Sequence, residues 1–175
     1  MEWRDLLVDG YDRVQEFIEN VLRGLPQEDL DWQPSSDCNS IGWLVWHLAR
    51  QQDMQIASLM GKEQLWIQDG WHSRFNRDED PYDIGFGHSL EQVAVFKSPD
   101  IKTMLGYHHA VKERSKQYFT TLSSTDLDRE IDEPWFQPKP TVGVRLISIL
   151  EDGLLHAGQA AYIRGLRHGK GWQPY

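Results

Sequence analysis

Apolar residues recur every three or four positions along four long segments of the chain, with charged and polar residues between them. This is the spacing of one face of an α-helix, and glycine, proline and small polar residues end the segments as helix stops do. The pattern predicts four long helices, over about residues 3–22, 41–59, 98–122 and 141–166. Because strand signals are few, we expect an all-α fold, an antiparallel four-helix bundle whose functional site lies on facing helices.

Helix-start signals mark three of these helices. Ser40 and Thr141 precede the second and fourth helices, where their hydroxyl oxygens can accept a free backbone N–H of the first turn. The sequence Ser98-Pro99-Asp100 predicts the opening of the third helix, with serine as the N-cap and proline in the first position. The second helix is apolar almost all round its first two turns, which is typical of an element buried inside a bundle.

Two irregular connections separate the helices. Residues 62–97 contain three glycines and one proline, and we expect short helical turns near 62–67 and 90–96. Residues 123–140 contain three prolines and are expected to form a loop. Large aromatic residues are common in the first connection, which we expect to shape a substrate pocket. No internal repeat or domain boundary is visible, so the sequence predicts one domain over residues 1–175.

Composition excludes several classes of function. A formal net charge of −9 and a pI near 5.2 make nucleic acid an unfavourable partner, because nucleic-acid binding depends on clustered lysine and arginine. No apolar run approaches the roughly 20 residues that cross a bilayer, and the N-terminus lacks a basic-then-apolar signal. We therefore expect a soluble protein with no membrane partner. The single cysteine, Cys38, cannot form an intramolecular disulfide, which favours a cytoplasmic location.

Candidate chemistry lies on the second and fourth helices. Asp152 and His156 are four residues apart, so they share one face of the fourth helix. His47 lies in the middle of the second helix, which can face the fourth in a bundle. Two imidazoles and a carboxylate suit zinc, and three protein ligands leave a position for water or substrate, as catalytic sites require. The sequence therefore predicts a possible divalent-metal site at His47, Asp152 and His156.

Structural roles for the same residues stay open at this point. His47 can be a core histidine that hydrogen-bonds a backbone or side-chain oxygen. Asp152 can pair with Arg145 or Arg164, or it can accept a hydrogen bond from His156. Spacing alone does not decide between these roles and metal binding.

The remaining titratable candidates are expected to be structural. His108 and His109 lie on the third helix, His108 on its apolar stripe; a satisfied core or interface position is favoured, and a role in supporting the metal ligands is the alternative. His72 and His88 fall in the irregular 62–97 segment, where they could approach the mouth of a site, and by default both are expected to be solvated. Cys38 precedes a helix N-terminus but has no base nearby in the sequence, so a structural or incidental role is favoured. Phosphate-binding loops, nucleophile elbows and paired Cys-x-x-Cys motifs are missing from the sequence.

Two stretches of the chain resemble a known family. SIGWLVWHL at 40–48 resembles the second-helix motif of the DinB-like superfamily, and EDGLLHAGQA at 151–160, followed by Ile163-Arg164, resembles its last-helix motif. Within the superfamily, the stretches are similar to the branch related to the N-terminal domain of mycothiol-dependent maleylpyruvate isomerase. The resemblance covers most of the chain and implies a four-helix bundle of the DinB-like type, with long connections between its helices.

The resemblance implies a ligand set residue by residue. The two motif histidines fall on His47 and His156, and the third ligand, a histidine or glutamate in the family, falls on Asp152. Aspartate is one methylene shorter than glutamate, so the two helices must approach more closely or a water must bridge the gap. Gln159 is expected to contact the metal ligands without binding the ion itself. Glu151 is an alternative carboxylate ligand next to Asp152, about 100° away around the helix.

The resemblance also implies an activity. It predicts a metal-dependent enzyme, with zinc or else nickel, that activates a low-molecular-weight thiol such as mycothiol, bacillithiol or glutathione. The enzyme would transfer the thiol to a small-molecule substrate, or it would use the thiol to isomerise that substrate. Two alternatives are a metal-dependent hydrolase that uses a metal-bound water and a non-catalytic, stress-related protein that binds metal or forms dimers. Exposed apolar positions on a bundle this rich in tryptophan favour a homodimer.

Overall fold

The computed structural model describes residues 2–173, and within them the chain is helical with no strand. The α-helices in chain order are α1 (Trp3–Leu22), α2 (Gln27–Leu30), α3 (Ile41–Met60), α4 (Leu65–Gln68), α5 (Trp71–Arg74), α6 (Leu90–Ala94), α7 (Ile101–Thr121) and α8 (Val142–His168). A single 3₁₀ turn, Thr125–Asp128, lies between α7 and α8. The all-α prediction is confirmed. None of the helices described is long and apolar enough to cross a membrane.

Four of these helices, α1, α3, α7 and α8, are long and form the bundle. Their bounds follow the apolar periodicity of the sequence to within about three residues. Of the short helices, α4 and α6 lie where helical turns are expected. The other two, α2 and α5, are not predicted, because a single helical turn of four residues is too short to show a periodicity.

The start of α7 differs from the prediction. Asp100 is the N-cap, since its Oδ1 accepts the backbone N–H of Thr103 over 2.8 Å. Ser98 lies before the helix, where its own backbone N–H donates to Oδ1 of Asp31 over 3.0 Å. A carboxylate caps a helix as well as a hydroxyl does and also interacts favourably with the helix dipole. The helix therefore begins at Ile101 instead of at Pro99.

The helix α3 is the most deeply packed of the four. It lies against α8 and α7, and α1 packs on the same two helices. All residues of α3 from 41 to 50 are buried, which confirms the prediction made from their apolar character. The contact between α3 and α8 is the most extensive in the bundle, and it brings the second and last long helices together.

Two buried charged residues of α3 hold the 62–97 segment in place. Asp53 accepts the first two backbone N–H groups of α4, at 3.0 and 2.8 Å. Arg50 donates to the backbone carbonyls of Pro81 and Asp83, each at 3.1 Å. Buried charges are stable only when they are paired or hydrogen-bonded, and here the backbone of the segment supplies most of the partners. The segment therefore has a fixed position although its helices are short.

Candidate metal centre

His47 of α3 and two residues of α8, Asp152 and His156, come together where the two helices pack. Each offers one ligand atom, and the three atoms all lie within 4.8 Å of one another. Asp152 and His156 are neighbours because they are one turn apart, and Oδ1 of the first is 3.4 Å from Nε2 of the second. The structure thus places side by side the three residues that the sequence nominates, and the short carboxylate of Asp152 reaches the cluster.

The imidazole of His47 is held in one orientation. Its Nδ1 donates to the backbone carbonyl of Ile84, which can only accept. Its ring stacks on Trp43, with 4.8 Å between the ring centroids and 12° between the ring planes. Because the proton is on Nδ1, Nε2 keeps its lone pair for a ligand, as in metal-binding histidines that donate to a carbonyl.

The loop that supplies the Ile84 carbonyl needs a glycine. Gly85 has a φ of +87°, in the left-handed region that side chains disfavour. A Cβ atom there would lie 2.7 Å from the ring of Trp43 and 3.1 Å from Nδ1 of His47. Residues 84–88, which we name the 84–88 loop, therefore lie directly against the buried histidine.

The hydrogen-bond partners of the His156 imidazole favour a positive charge at its Nε2. Its Nδ1 is 2.8 Å from Oε1 of Gln159, an oxygen that only accepts, so Nδ1 carries a proton. Its Nε2 faces the carboxylate of Asp152, which also only accepts. A second proton or a metal ion between Nε2 and the carboxylate satisfies both groups. The donor set of this structure therefore fits a divalent ion.

The two histidines have opposite pKa shifts. Burial lowers the pKa of His47, and the nearby carboxylate of Asp152 only partly opposes this effect. Burial also acts to lower the pKa of His156, but its hydrogen bonds with Asp152 and Gln159 outweigh burial and raise the pKa. Neutral imidazole is the form that binds metal, so the lowered pKa of His47 favours binding, whereas the raised pKa of His156 means that a proton competes with the metal there.

A cavity of about 410 Å³ connects the three side chains with solvent. A space of this size is in the range of small-molecule sites. Its other walls come from α3, the 84–88 loop and α6, namely from Asn39, Trp43, Gln51, Gly85, Phe86, Gly87, His88 and Val93.

The fold and the cluster agree with what is known of other proteins. A family model described as the DinB superfamily matches residues 11–160. The chain belongs to the DinB superfamily. A crystal structure of a conserved protein from Enterococcus faecalis is similar to this chain, with a TM-score of 0.89 and 29% sequence identity. That similarity covers 97% of this chain and 99% of the other. A comparison with curated proteins finds no match.

The DinB assignment confirms the resemblance read from the two motifs. Proteins of the DinB superfamily often bind a divalent metal. His47, Asp152 and His156 all lie within residues 11–160, the part of the chain that the DinB model matches. The candidate metal centre is thus in the region that carries the family's features.

His88 corrects the expectation of a solvated histidine. Its side chain is only 10% exposed, and its Nε2 lies 3.0 Å from Oδ1 of Asp83. Its Nδ1 accepts the indole N–H of Trp43 over 3.2 Å, and Trp43 stacks on His47. In this DinB protein, Asp83, His88 and Trp43 thus form a linked row of contacts that leads to the candidate ligand His47. Sequence reasoning missed it because Trp43 and His88 are 45 residues apart.

The remaining candidates take other places. Glu151 is exposed and lies outside the three-residue cluster. Arg145 pairs with Glu133, and Arg164 donates to two backbone carbonyls near the end of α1. Neither arginine neutralises Asp152, so its carboxylate is available to the histidines.

Proposed function

We propose that His47, Asp152 and His156 bind a divalent ion, zinc or nickel, and that the protein uses it to activate a low-molecular-weight thiol. The thiol is mycothiol, bacillithiol or glutathione. In the reaction it is transferred to a small-molecule substrate or takes part in the isomerisation of that substrate. The observation that carries the proposal is the convergence of three donor atoms within 4.8 Å at the edge of an open cavity.

The donor set fits zinc in type, and the pair from α8 also fits it in spacing, whereas His47 must move slightly closer to complete the site. Nitrogen and oxygen donors about 2.0–2.2 Å from a tetrahedral ion lie about 3.4 Å from one another. Asp152 Oδ1 and His156 Nε2 are already 3.4 Å apart, and the donor of His47 lies within 4.8 Å of both. Nδ1 of each ring is hydrogen-bonded, to Ile84 and to Gln159, which restricts the ring orientation and leaves Nε2 as the candidate donor.

The chemistry of the proposed reaction follows from this placement. A divalent ion held here supplies a positive charge that lowers the pKa of a bound thiol and favours the reactive thiolate at neutral pH. Three protein ligands leave a coordination position for such a molecule. Trp43 and Val93 form apolar walls beside the ligands, and these walls exclude part of the water from the reacting group.

Metal analysis of the purified protein tests the site. We expect one bound divalent ion per chain in the wild type and loss of that ion in His47→Ala and in His156→Ala. Asp152→Ala should weaken binding by about 10-fold or more, whereas Asp152→Glu, which restores the family's longer carboxylate, should retain it. His109→Ala, at an exposed position of α7, is the control. A wild-type protein that binds no divalent ion would overturn the proposal.

Thermal unfolding of the metal-loaded protein with each thiol tests the second half of the proposal. A thiol present at about 100 times its Kd should stabilise the wild type by about 2.7 kcal/mol, and it should not stabilise His156→Ala. Ester or amide hydrolysis without any stabilisation by a thiol would favour the hydrolase alternative. A metal-loaded protein with neither property would favour the non-catalytic alternative.

A further inference from the structure

A second, larger cavity adjoins the candidate metal centre. It has a volume of about 840 Å³ and lies between α3, residues 79–86 and residues 131–136. Gln51 and Phe86 line both this cavity and the one that contains the candidate ligands. We name the larger cavity the aromatic cleft. The aromatic cleft therefore lies next to the candidate metal centre, although none of the three candidate ligands lines it.

Four exposed aromatic rings surround the aromatic cleft. Tyr82, Phe86, Trp135 and Phe136 are 82%, 85%, 72% and 51% exposed, and all four line it. Between residues 2 and 173 one further aromatic ring, Tyr162, is similarly exposed, and it lies on α8 outside the cleft. Exposed apolar surface that is concentrated at one concave place is typical of a ligand site, where ring faces stack on the ligand.

Part of the lining of the aromatic cleft consists of polar side chains that are linked to one another by hydrogen bonds. Oε1 of Gln51 accepts a hydrogen bond from Gln55 over 3.1 Å. Oε1 of Gln55 in turn accepts from Arg145 over 2.9 Å, and Arg145 is bonded to Glu133. Oε1 of Gln51 already accepts the bond from Gln55, and the NH₂ group of Gln51 makes no hydrogen bond among the described residues, so it can donate to a ligand where the linings of the two cavities meet. A ligand with an acceptor atom, such as a nitro or carbonyl oxygen, fits this position.

Charge decides which aromatic ligands fit. Arg145 is neutralised by Glu133, so it does not attract an anion strongly. The other charged residues of the lining, Lys62, Glu63 and Glu79, are exposed and together carry one negative charge. The whole chain is also acidic, with a formal net charge of −9. An acidic ligand is therefore disfavoured relative to an uncharged or basic one.

We propose that the aromatic cleft binds a planar aromatic molecule without an acidic group, as the second substrate of the metal centre. The assignment of this molecule as a substrate rests on the proposed function, whereas binding in the cleft does not require the metal. Phe86 and Gln51 line both cavities, so a ring stacked on Phe86 would lie where the aromatic cleft adjoins the cavity of the candidate ligands. In the thiol reaction, the thiolate sulfur would bond to a ring carbon that carries a leaving group such as a halide, the bond from that carbon to the leaving group would break, and the halide and the proton of the thiol would leave to solvent.

Fluorescence titration with two related dyes tests the binding. N-phenylnaphthylamine is uncharged, and anilinonaphthalene sulfonate has the same rings with an added sulfonate. We expect the uncharged dye to bind the wild type at least about 3-fold more tightly than the sulfonate. Removal of one stacked ring in Phe86→Ala or Trp135→Ala should weaken its binding by roughly 2- to 12-fold. Both side chains are mostly exposed, so these variants should fold.

Two controls keep the outcomes distinct. Tyr162→Ala removes an equally exposed ring outside the cleft and should leave dye binding unchanged. Weaker dye binding in Tyr162→Ala but not in Phe86→Ala or Trp135→Ala would overturn this inference, as would tighter binding of the sulfonate. His156→Ala should bind the dye like the wild type while losing its metal. A wild type that binds the dye in the cleft but takes up no metal would contradict the proposed function and leave the cleft assignment intact.

Discussion

His108 is a buried histidine that makes the stability of the protein sensitive to acid. It is 1% exposed on α7, which confirms the core position, and its Nδ1 lies 2.5 Å from Oε1 of Gln15. Its buried Nε2 has no hydrogen-bond partner among the described residues, so the expectation of a satisfied histidine is met only in part. Burial, with a smaller contribution from the charges of Lys112 and His109, lowers the pKa of His108 to about 3. The folded protein therefore keeps this ring neutral at pH values where the unfolded chain protonates it.

This shift predicts a loss of stability below about pH 6.5, the ordinary pKa of histidine. The unfolded state binds the extra proton there, so the free energy of unfolding should fall as the pH falls, by about 2 kcal/mol between pH 7.5 and pH 5 from this residue alone. In His108→Gln, which keeps a hydrogen-bonding group next to Gln15, that part of the loss should be missing. Urea unfolding at both pH values measures it. His109→Gln is the exposed control and should behave like the wild type; an equal pH dependence in His108→Gln would contradict the prediction.

For single residues, the sequence predicts the candidate metal ligands better than the groups that orient those ligands. Asp152 and His156 share a face because of helical geometry alone, His47 is nominated by its place on a helix that can face them, and the motif resemblance supports all three. The partner of His47 is a backbone carbonyl 37 residues away, at Ile84. Any residue type has such a carbonyl, so no pattern of side chains can reveal it.

At the level of elements, helices are predictable from periodicity and loops are not. The face of α8 that carries the candidate ligands follows from spacing within one helix. The start of α7 is misplaced by a Ser-Pro pattern because Asp100 competes as the cap. The 84–88 loop has no periodicity, and its conformation depends on contacts with α3 that are distant in sequence.

The fit of this loop predicts a specific effect of Gly85→Ala. The new methyl group would lie 2.7 Å from Trp43 and would need a left-handed backbone, which costs about 1–2 kcal/mol by itself. The loop must move away, so the hydrogen bond from His47 to Ile84 is lost. We expect a lower free energy of unfolding and weaker metal binding, measured by thermal unfolding and by metal titration.

Gly87→Ala is the matched control for this prediction. Gly87 also has a positive φ, of +78°, but a Cβ there meets no atom within 4 Å among the described residues. It should therefore show the backbone cost without the clash, and its metal affinity should stay close to that of the wild type. Equal losses of metal affinity in Gly85→Ala and Gly87→Ala would show that the contact with His47 does not matter.

At the scale of the whole molecule, the bundle can be predicted from the sequence, but the position of the 62–97 segment over the candidate metal centre cannot. Four amphipathic segments leave few ways to bury their apolar faces other than against one another. The 62–97 segment is held by the buried charges of Arg50 and Asp53, whose partners are backbone groups. Both cavities next to the candidate ligands owe part of their walls to this segment. The cavities are therefore consequences of tertiary structure.

One outer face of α8 predicts association of two chains. Leu154, Leu155, Tyr162 and Leu166 are 50–70% exposed and lie on the same helix. A contiguous exposed apolar surface of this kind favours a partner, and a second copy of the chain is the homodimer expected from the sequence. We predict that light scattering finds a dimer of the 20.4 kDa chain. The double variant Tyr162→Glu/Leu166→Glu should raise the Kd of the dimer by at least about 10-fold, because it buries charge in the interface.

The metal content of the dissociated variant is the second measurement in this experiment. The apolar face begins next to His156, and Asn39 lines both the groove on this face and the candidate metal cavity. All three candidate ligands nevertheless come from one chain, so the monomeric variant should bind metal as the wild type does. Leu90→Glu, at an exposed apolar position on α6, should leave the dimer intact. A wild type that is monomeric at micromolar concentration would contradict the dimer, whereas loss of metal on dissociation would show that the partner chain completes the site.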